Sequence, residues 1–284
     1  MIDCLKDALG LGNFFFKNMT GYLLSKKYRH NCIYNEGFMK LGIDFNKYNV
    51  YENEINNLDE AIININDDEL HLYFENKLTI DFNKKYKLSE YCQLSFISKL
   101  LLDHFSDENF ELRKSIINNN IYKDRYNNNN DLIIHLRLLD PLKWTNEWKN
   151  DIKNKYENQN PFPVDGLNYY RYLLNSINYE NGYITTDVPN CTLVNTLSRE
   201  FNLKILDCNK IYNNDDEINT IQFASTCKYI LLSHGTFSWL IGLLGFYSNI
   251  YYLNFENFNK TTYGWSSTEM YYLSNWNKIN YKIY

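Results

Sequence analysis

His135 and Arg137 stand two residues apart inside Asp131-Leu-Ile-Ile-His-Leu-Arg-Leu-Leu-Asp140, and Pro141 follows at once. An apolar run bounded by polar residues reads as a buried strand, and the proline turns the chain out of regular pairing. His135, Arg137 and Asp140 are therefore expected at or just past the strand's carboxyl end, the edge where α/β sheets bind ligands. Residues two apart on a strand face the same way. An imidazole with donor and acceptor nitrogens beside a five-donor guanidinium suits a ligand that joins a base to a phosphate. The plainer alternative is an arginine paired with a nearby aspartate at the sheet edge.

Leu231-Leu-Ser-His-Gly-Thr-Phe-Ser-Trp-Leu-Ile-Gly242 is a second stretch of this kind. It reads as strand, turn and helix, with Ser233, Thr236 and Ser238 at the turn. Backbone N–H groups, hydroxyls and the positive end of the helix dipole converge there, as an anion site or as a simple N-cap. Tyr183-Ile-Thr-Thr-Asp187 ends on the same edge, and Asp187 can accept hydrogen bonds from a nucleobase or cap a helix expected from Pro189. In a doubly wound sheet Arg137 and the Thr236 turn share one edge and can grip one diphosphate from two sides.

The elements that must position these residues alternate regularly after Asp131. Strands are expected at 132–136, 183–185, 203–206, 229–232 and 250–253, with helices at 143–156, 167–177, 189–201, 216–227 and 236–244. Such alternation predicts a parallel sheet covered on both sides. Near the start, a weak strand around Ile2 meets Gly10-Leu-Gly12-Asn13, two glycines that let the backbone approach a ligand or merely turn. A helix at 14–27 follows. Residues 31–87 read as short strands (61–65, 70–74, 78–80) and loops, and helices are expected at 88–105, capped by Ser89, and at 108–117. Asn118–Asn120 and Asn127–Asn130 form a polar interruption taken as the domain boundary. The expected architecture is α/β, with two Rossmann-like domains, 1–126 and 131–284, facing a cleft.

At 284 residues and 44% hydrophobic, the chain can bury a core in each domain. A net charge of -5 supplies no basic field, which argues against a nucleic-acid partner and requires any bound anion to be held by a local cluster. Six cysteines without a CxxC pair suggest free buried thiols in a reducing compartment, with no disulfide and no metal site. The stretch 229–255 carries no charge, yet its Ser, Thr, Gly and Asn residues break it into strand, helix and strand, so it is not read as a membrane span. Without the basic and apolar regions of a signal peptide, the protein is expected in the cytoplasm.

Taken together, Gly10-Leu-Gly-Asn13 with Phe16 and Gly21-Tyr-Leu-Leu-Ser-Lys-Lys27, then His135-x-Arg137-x-x-Asp140, Thr186-Asp187 and Thr236-Phe237-Ser238-Trp239, resemble in order and spacing the α-1,2-fucosyltransferases and their relatives. That resemblance implies an inverting, metal-independent glycosyltransferase of GT-B type that uses GDP-fucose. It implies that Arg137 holds the β-phosphate, that His135 lies by the guanine and that Thr236 and Ser238 lie by the diphosphate; Ser233 and Phe237 of the same segment are further candidate nucleotide-sugar contacts. Gly10, Gly12 and Asn13 would line the cleft from the first domain. Asp140 is the position-based choice of general base, with Asp7 and Glu147 behind it. The chain departs from the family pattern at Phe14 (usually Gln), Leu138 (a second Arg), Val188 (often a second acid) and Leu240 (commonly a second Trp). Val188 and Phe14 leave open a UDP- or dTDP-linked rhamnose or amino sugar as donor; a non-catalytic nucleotide- or glycan-binding module on the same fold is a rival of a different class. A dinucleotide oxidoreductase is disfavoured, because no GxGxxG opens a helix.

Overall fold

The computed structural model describes residues 1–4, 10–34, 36–49, 62–81, 83–88, 92–138, 166–206, 216–233, 235–253 and 276–279. Described residues up to Ile121 form one compact unit and those from Tyr122 form another. In the first unit, strands β1 (Ile2–Asp3), β2 (Cys32–Ile33), β3 (Ile62–Ile65) and β4 (Lys85–Leu88) make a parallel sheet in the order β2-β1-β4-β3. Helix α1 (Leu11–Tyr28) follows β1 and buries Phe15, Phe16, Met19 and Leu24 completely, with Phe15 edge-on to Phe38 at 5.8 Å. The other helices are α2 (Asp67–Phe74), α3 (Ser95–Ser106) and α4 (Glu111–Asn119).

Several elements of this unit differ from the sequence expectation. Leu70–Phe74 alternates like a strand but lies in α2, because Asn66 accepts a side-chain bond from Glu69 N–H at 2.9 Å and Asp67, Asp68 and Glu69 load the first turn with the charge a helix N-terminus favours. Leu78–Ile80 belongs to no strand. Leu88 closes β4 and does not begin a helix; α3 starts at Ser95 and turns Ile97, Ser98, Leu101 and Phe105 inward. His104 is an exposed helix-face residue.

The second unit contains strands β5 (Leu132–Leu136), β6 (Gly182–Thr186), β7 (Leu203–Ile205), β8 (Tyr229–Leu232), β9 (Asn249–Leu253) and β10 (Asn277–Ile279). Its helices are α5 (Gly166–Ser176), α6 (Thr192–Phe201), α7 (Asp216–Ala224) and α8 (Thr236–Leu244). All six strands are parallel, in the order β10-β9-β8-β5-β6-β7. Counting from β5, that is the 3-2-1-4-5-6 order of a doubly wound, Rossmann-like sheet, and the order reverses between β5 and β8. The sixth strand, β10, was not expected from the sequence; its Asn-Lys-Ile is too short and too polar to announce itself.

Both faces of β5 are covered. Leu132, Ile133, Ile134 and Leu136 are at most 1% exposed, and burial of such side chains contributes about 2 kcal/mol each. Helix α8 is apolar all round, as a helix enclosed by protein must be. Its Gly242 lets Trp276 approach, since a Cβ there would lie 2.7 Å from that ring. The uncharged stretch beginning at Tyr229 thus resolves into β8, α8 and β9, and among the described residues no helix is long and apolar enough to cross a membrane.

At the amino edge of this sheet, Asp131 is locked in place. It pairs with Arg125 at 2.8 Å and accepts from Asn181 at 2.8 Å, while Arg125 also donates to Thr226 and lies over the Phe223 ring at 4.4 Å. The Asn127–Asn130 run lies inside the second unit. There Asn129 donates to the Arg125 and Thr226 carbonyls and accepts from Asp131 N–H, bridging β5 and the approach to β8 before their ladder begins.

Two measurements test this account. Asp131→Ala leaves a largely buried guanidinium without its carboxylate and is expected to cost about 3 kcal/mol in chemical denaturation. In the first unit, burial and then the neighbouring Met1 amino group push the His30 imidazole down from 6.5 to about 4, only partly offset by the Lys84 carbonyl and Asp81. Below pH 6.5 the unfolded chain therefore takes up a proton that the folded unit refuses, so stability falls as pH drops. Melting midpoints compared between pH 7 and pH 5, above most carboxylate titrations, should fall for the native chain and fall less for His30→Gln.

Candidate functional site at the carboxyl edge of the second sheet

Three strand ends meet where the strand order reverses. Strand β5 delivers His135 and then Arg137, β6 is followed by Asp187, and β8 is followed by Ser233 and the turn into α8. His135 pairs in register with Thr185 and is 6% exposed; its ring lies 5.2 Å from that of Phe237, and its Nδ1 is 3.4 Å from Ser233 Oγ. The Arg137 N–H donates to Ser233 Oγ at 2.9 Å. Arg137 Nη1 donates to Asp187 Oδ2 at 3.0 Å, and Leu138 N–H donates to Asp187 Oδ1 at 2.8 Å. The Arg137 side chain keeps 31% exposure, so it is anchored yet reachable.

The plainer reading of Arg137, a pairing with an aspartate, is thus present, and Asp187 is the partner. Asp187 does not cap a helix at Pro189: α6 begins at Thr192 with Cys191 as N-cap. Burial raises the Cys191 thiol, against the pull of the Val194 and Leu193 N–H groups. Val188 N–H donates to Thr186 Oγ1, closing a local turn, and the Val188 side chain packs on the core.

On the opposite side, α8 begins with Gly235 as N-cap at φ 92 and ψ 159, with no side-chain cap bond. Its first intrahelical bond runs from Trp239 N–H to the Gly235 carbonyl, so the amides of Thr236, Phe237 and Ser238 have no acceptor within the helix. This is a helix N-terminus suited to an anion. The simple N-cap by a serine or threonine is not what forms. Thr236 is buried at 8% exposure. Ser238 is buried completely and its Oγ has no hydrogen-bond partner among the described residues, so it lies inside the turn and not on its open surface.

Gly10, Gly12 and Asn13 lie in the first unit. Gly10 is the N-cap of α1 at φ 88 and ψ 149, close to the conformation of Gly235, but Gly12 and Asn13 already belong to the helix. The expected glycine loop is therefore one glycine followed by a helix's first turn. Asn13 Oδ1 accepts from Gln93 Nε2 at 2.7 Å, both side chains being buried, and Gln93 follows Cys92, which is held at φ 57. Sequence reading missed Gln93, which falls inside what looked like a helix, and it missed Lys17, which is 1% exposed in α1. Asp140, Asp7 and Glu147 lie outside the described residues. Among the described residues no group of three or more His, Cys, Asp or Glu is placed to hold a metal ion, and Cys4, Cys32, Cys92, Cys191 and Cys227 are buried free thiols.

Gly235→Ala isolates the backbone requirement of the turn. A Cβ at Gly235 would meet nothing within 4 Å, so only the conformation resists it. At that φ and ψ a side chain costs about 1–3 kcal/mol, and a matching fall in thermal stability is the expected result. Compared with known proteins, the chain matches no family model, no curated protein and no solved structure.

Proposed function

We propose that the protein is an inverting, metal-independent glycosyltransferase of GT-B type, acting in the cytoplasm. It transfers a 6-deoxyhexose, L-fucose from GDP-fucose, to a hydroxyl of a glycan acceptor. The observation that carries this reading is the position of Arg137, anchored at the end of the first strand of a 3-2-1-4-5-6 sheet and flanked by the glycine-led N-terminus of α8. The ordered motifs of the sequence supply the sugar-transfer part of the proposal.

In this mechanism the acceptor oxygen attacks the anomeric carbon while the bond from that carbon to the diphosphate oxygen breaks. The bonding electrons leave with the diphosphate, and the acceptor's proton passes to a base within hydrogen-bond reach, for which Asp140 is proposed. Arg137 and the amides of Thr236 and Phe237 stabilise the charge gathering on the leaving group, and such preorganised donors contribute about 2–4 kcal/mol each. A different donor, a UDP- or dTDP-linked rhamnose or amino sugar, is the second reading. It is favoured by the apolar packing of Val188, which stands where the family it resembles often has a second acid and offers no carboxylate to accept from the N–H groups of guanine.

Calorimetric titration with GDP, UDP and dTDP tests the proposal, with Arg137→Ala as control. GDP binding that is lost in the variant supports the fucose reading, and preference for UDP or dTDP selects the second. Loss of sugar transfer in Asp140→Asn with donor binding intact supports the base. Binding without any transfer points to a non-catalytic module, and absence of binding to all three nucleotides overturns the proposal.

A further inference from the structure

One carboxylate fixes both the guanidinium and the backbone that carries it. Asp187 Oδ2 accepts from Arg137 Nη1 and Asp187 Oδ1 from Leu138 N–H, at 3.0 and 2.8 Å. A pair that served only to neutralise charge would gain most from the two-bond fork of the guanidinium. Here the contact is through Nη1 alone. The Nε and Nη2 hydrogens, which run parallel along one edge and match two phosphate oxygens, have no partner among the described residues. The carboxylate is in turn tied to the strand end through Leu138, so it cannot follow the arginine if that side chain swings away.

We infer that Asp187 is a positioning residue, which holds the Nε–Nη2 edge of Arg137 ready for the diphosphate of a nucleotide and does not itself read the base. This rests on the nucleotide-site reading above. It differs from the nucleobase contact and the helix cap that the sequence offered for Asp187, and it makes a prediction of unusual sign. Removing a negative charge beside an anion site strengthens anion binding by Coulomb attraction alone. If orientation dominates, the same change weakens it.

The test is calorimetric titration of the full chain with inorganic pyrophosphate, GDP and UDP, using the native protein, Asp187→Asn, Arg137→Ala and the double variant. Asp187→Asn is expected to weaken pyrophosphate on the order of tenfold, the loss of a charge-assisted hydrogen bond. The ratio of GDP to UDP affinity should stay as in the native chain. With Arg137→Ala already present, the second substitution should leave pyrophosphate binding unchanged or tighten it, because no guanidinium remains to be oriented. Should Asp187→Asn fail to fold by its melting curve, Asp187→Glu keeps the charge while displacing the carboxylate and is expected to weaken pyrophosphate as well.

Pyrophosphate bound as tightly or more tightly by Asp187→Asn overturns the inference and leaves the nucleotide site standing. Unchanged pyrophosphate affinity with a collapsed GDP-to-UDP preference assigns Asp187 to the base and also overturns it. A native chain that binds neither pyrophosphate nor nucleotide removes the functional reading and this inference with it.

Discussion

Strand β5 has a parallel neighbour on each side and helices over both faces, and that confinement governs what its last residues can do. Its ladder with β6 ends at the pairing of Leu136 with Thr186. Beyond it, the next two N–H groups of the chain are taken by side chains: Arg137 donates to Ser233, which follows β8, and Leu138 donates to Asp187, which follows β6. A strand end that would otherwise fray is thereby held from left and right. The arginine that leaves it starts from a fixed backbone, and a fixed backbone is the first requirement of a preorganised anion contact.

The two arginine–aspartate pairs at the ends of β5 show how the same chemistry serves opposite purposes. Arg125, at the amino end, is spent: Nη2 goes to Asp131, Nε to Thr226, and the guanidinium covers an aromatic ring, with Asp131 only 5% exposed. Loss of either partner strands the other in a low-dielectric setting, so the pair acts as a clasp on the start of the sheet. At the carboxyl end the Arg137 pair is more exposed, and pairs so placed add little to stability. The first belongs to folding. The second is better understood through what its open edge can still bind.

How much of this was legible in the sequence depends on how local the cause is. The buried run Leu132–Leu136 and helix Thr236–Leu244 could be read to the residue, because hydrophobic pattern, glycine and flanking polar residues agree there. Residues 70–74 misled, since alternation over five residues weighs less than the capping signal of Asn66 and Glu69 just upstream. Ser233, Arg137 and Asp187 were each readable as candidates. Their mutual bonds were not, because the spacing that unites them is set by strand order, and β8 lying beside β5 across nearly a hundred residues leaves no trace in local sequence. Gln93 and Asn13 meet for the same non-local reason, across β4 and β1. The two units divide at Ile121 and Tyr122, inside the asparagine-rich stretch taken as the domain boundary, yet that stretch is not without structure: Asn129 donates to the Arg125 and Thr226 carbonyls and accepts from Asp131 N–H.

The conformations of Gly10 and Gly235 agree to within a few degrees in φ and about ten degrees in ψ, although one opens α1 in the first unit and the other opens α8 in the second. At both positions the space around a Cβ is empty within 4 Å, so the constraint lies in the backbone alone. Elsewhere this asparagine-rich chain places asparagine at positive φ, as at Asn76, Asn127 and Asn202, but these two turns carry glycine, because ψ near 150 lies outside the left-handed well that asparagine tolerates. One helix in each unit is therefore entered through a backbone conformation that glycine alone adopts without strain, and a side chain at either position would be resisted by shape and not by packing.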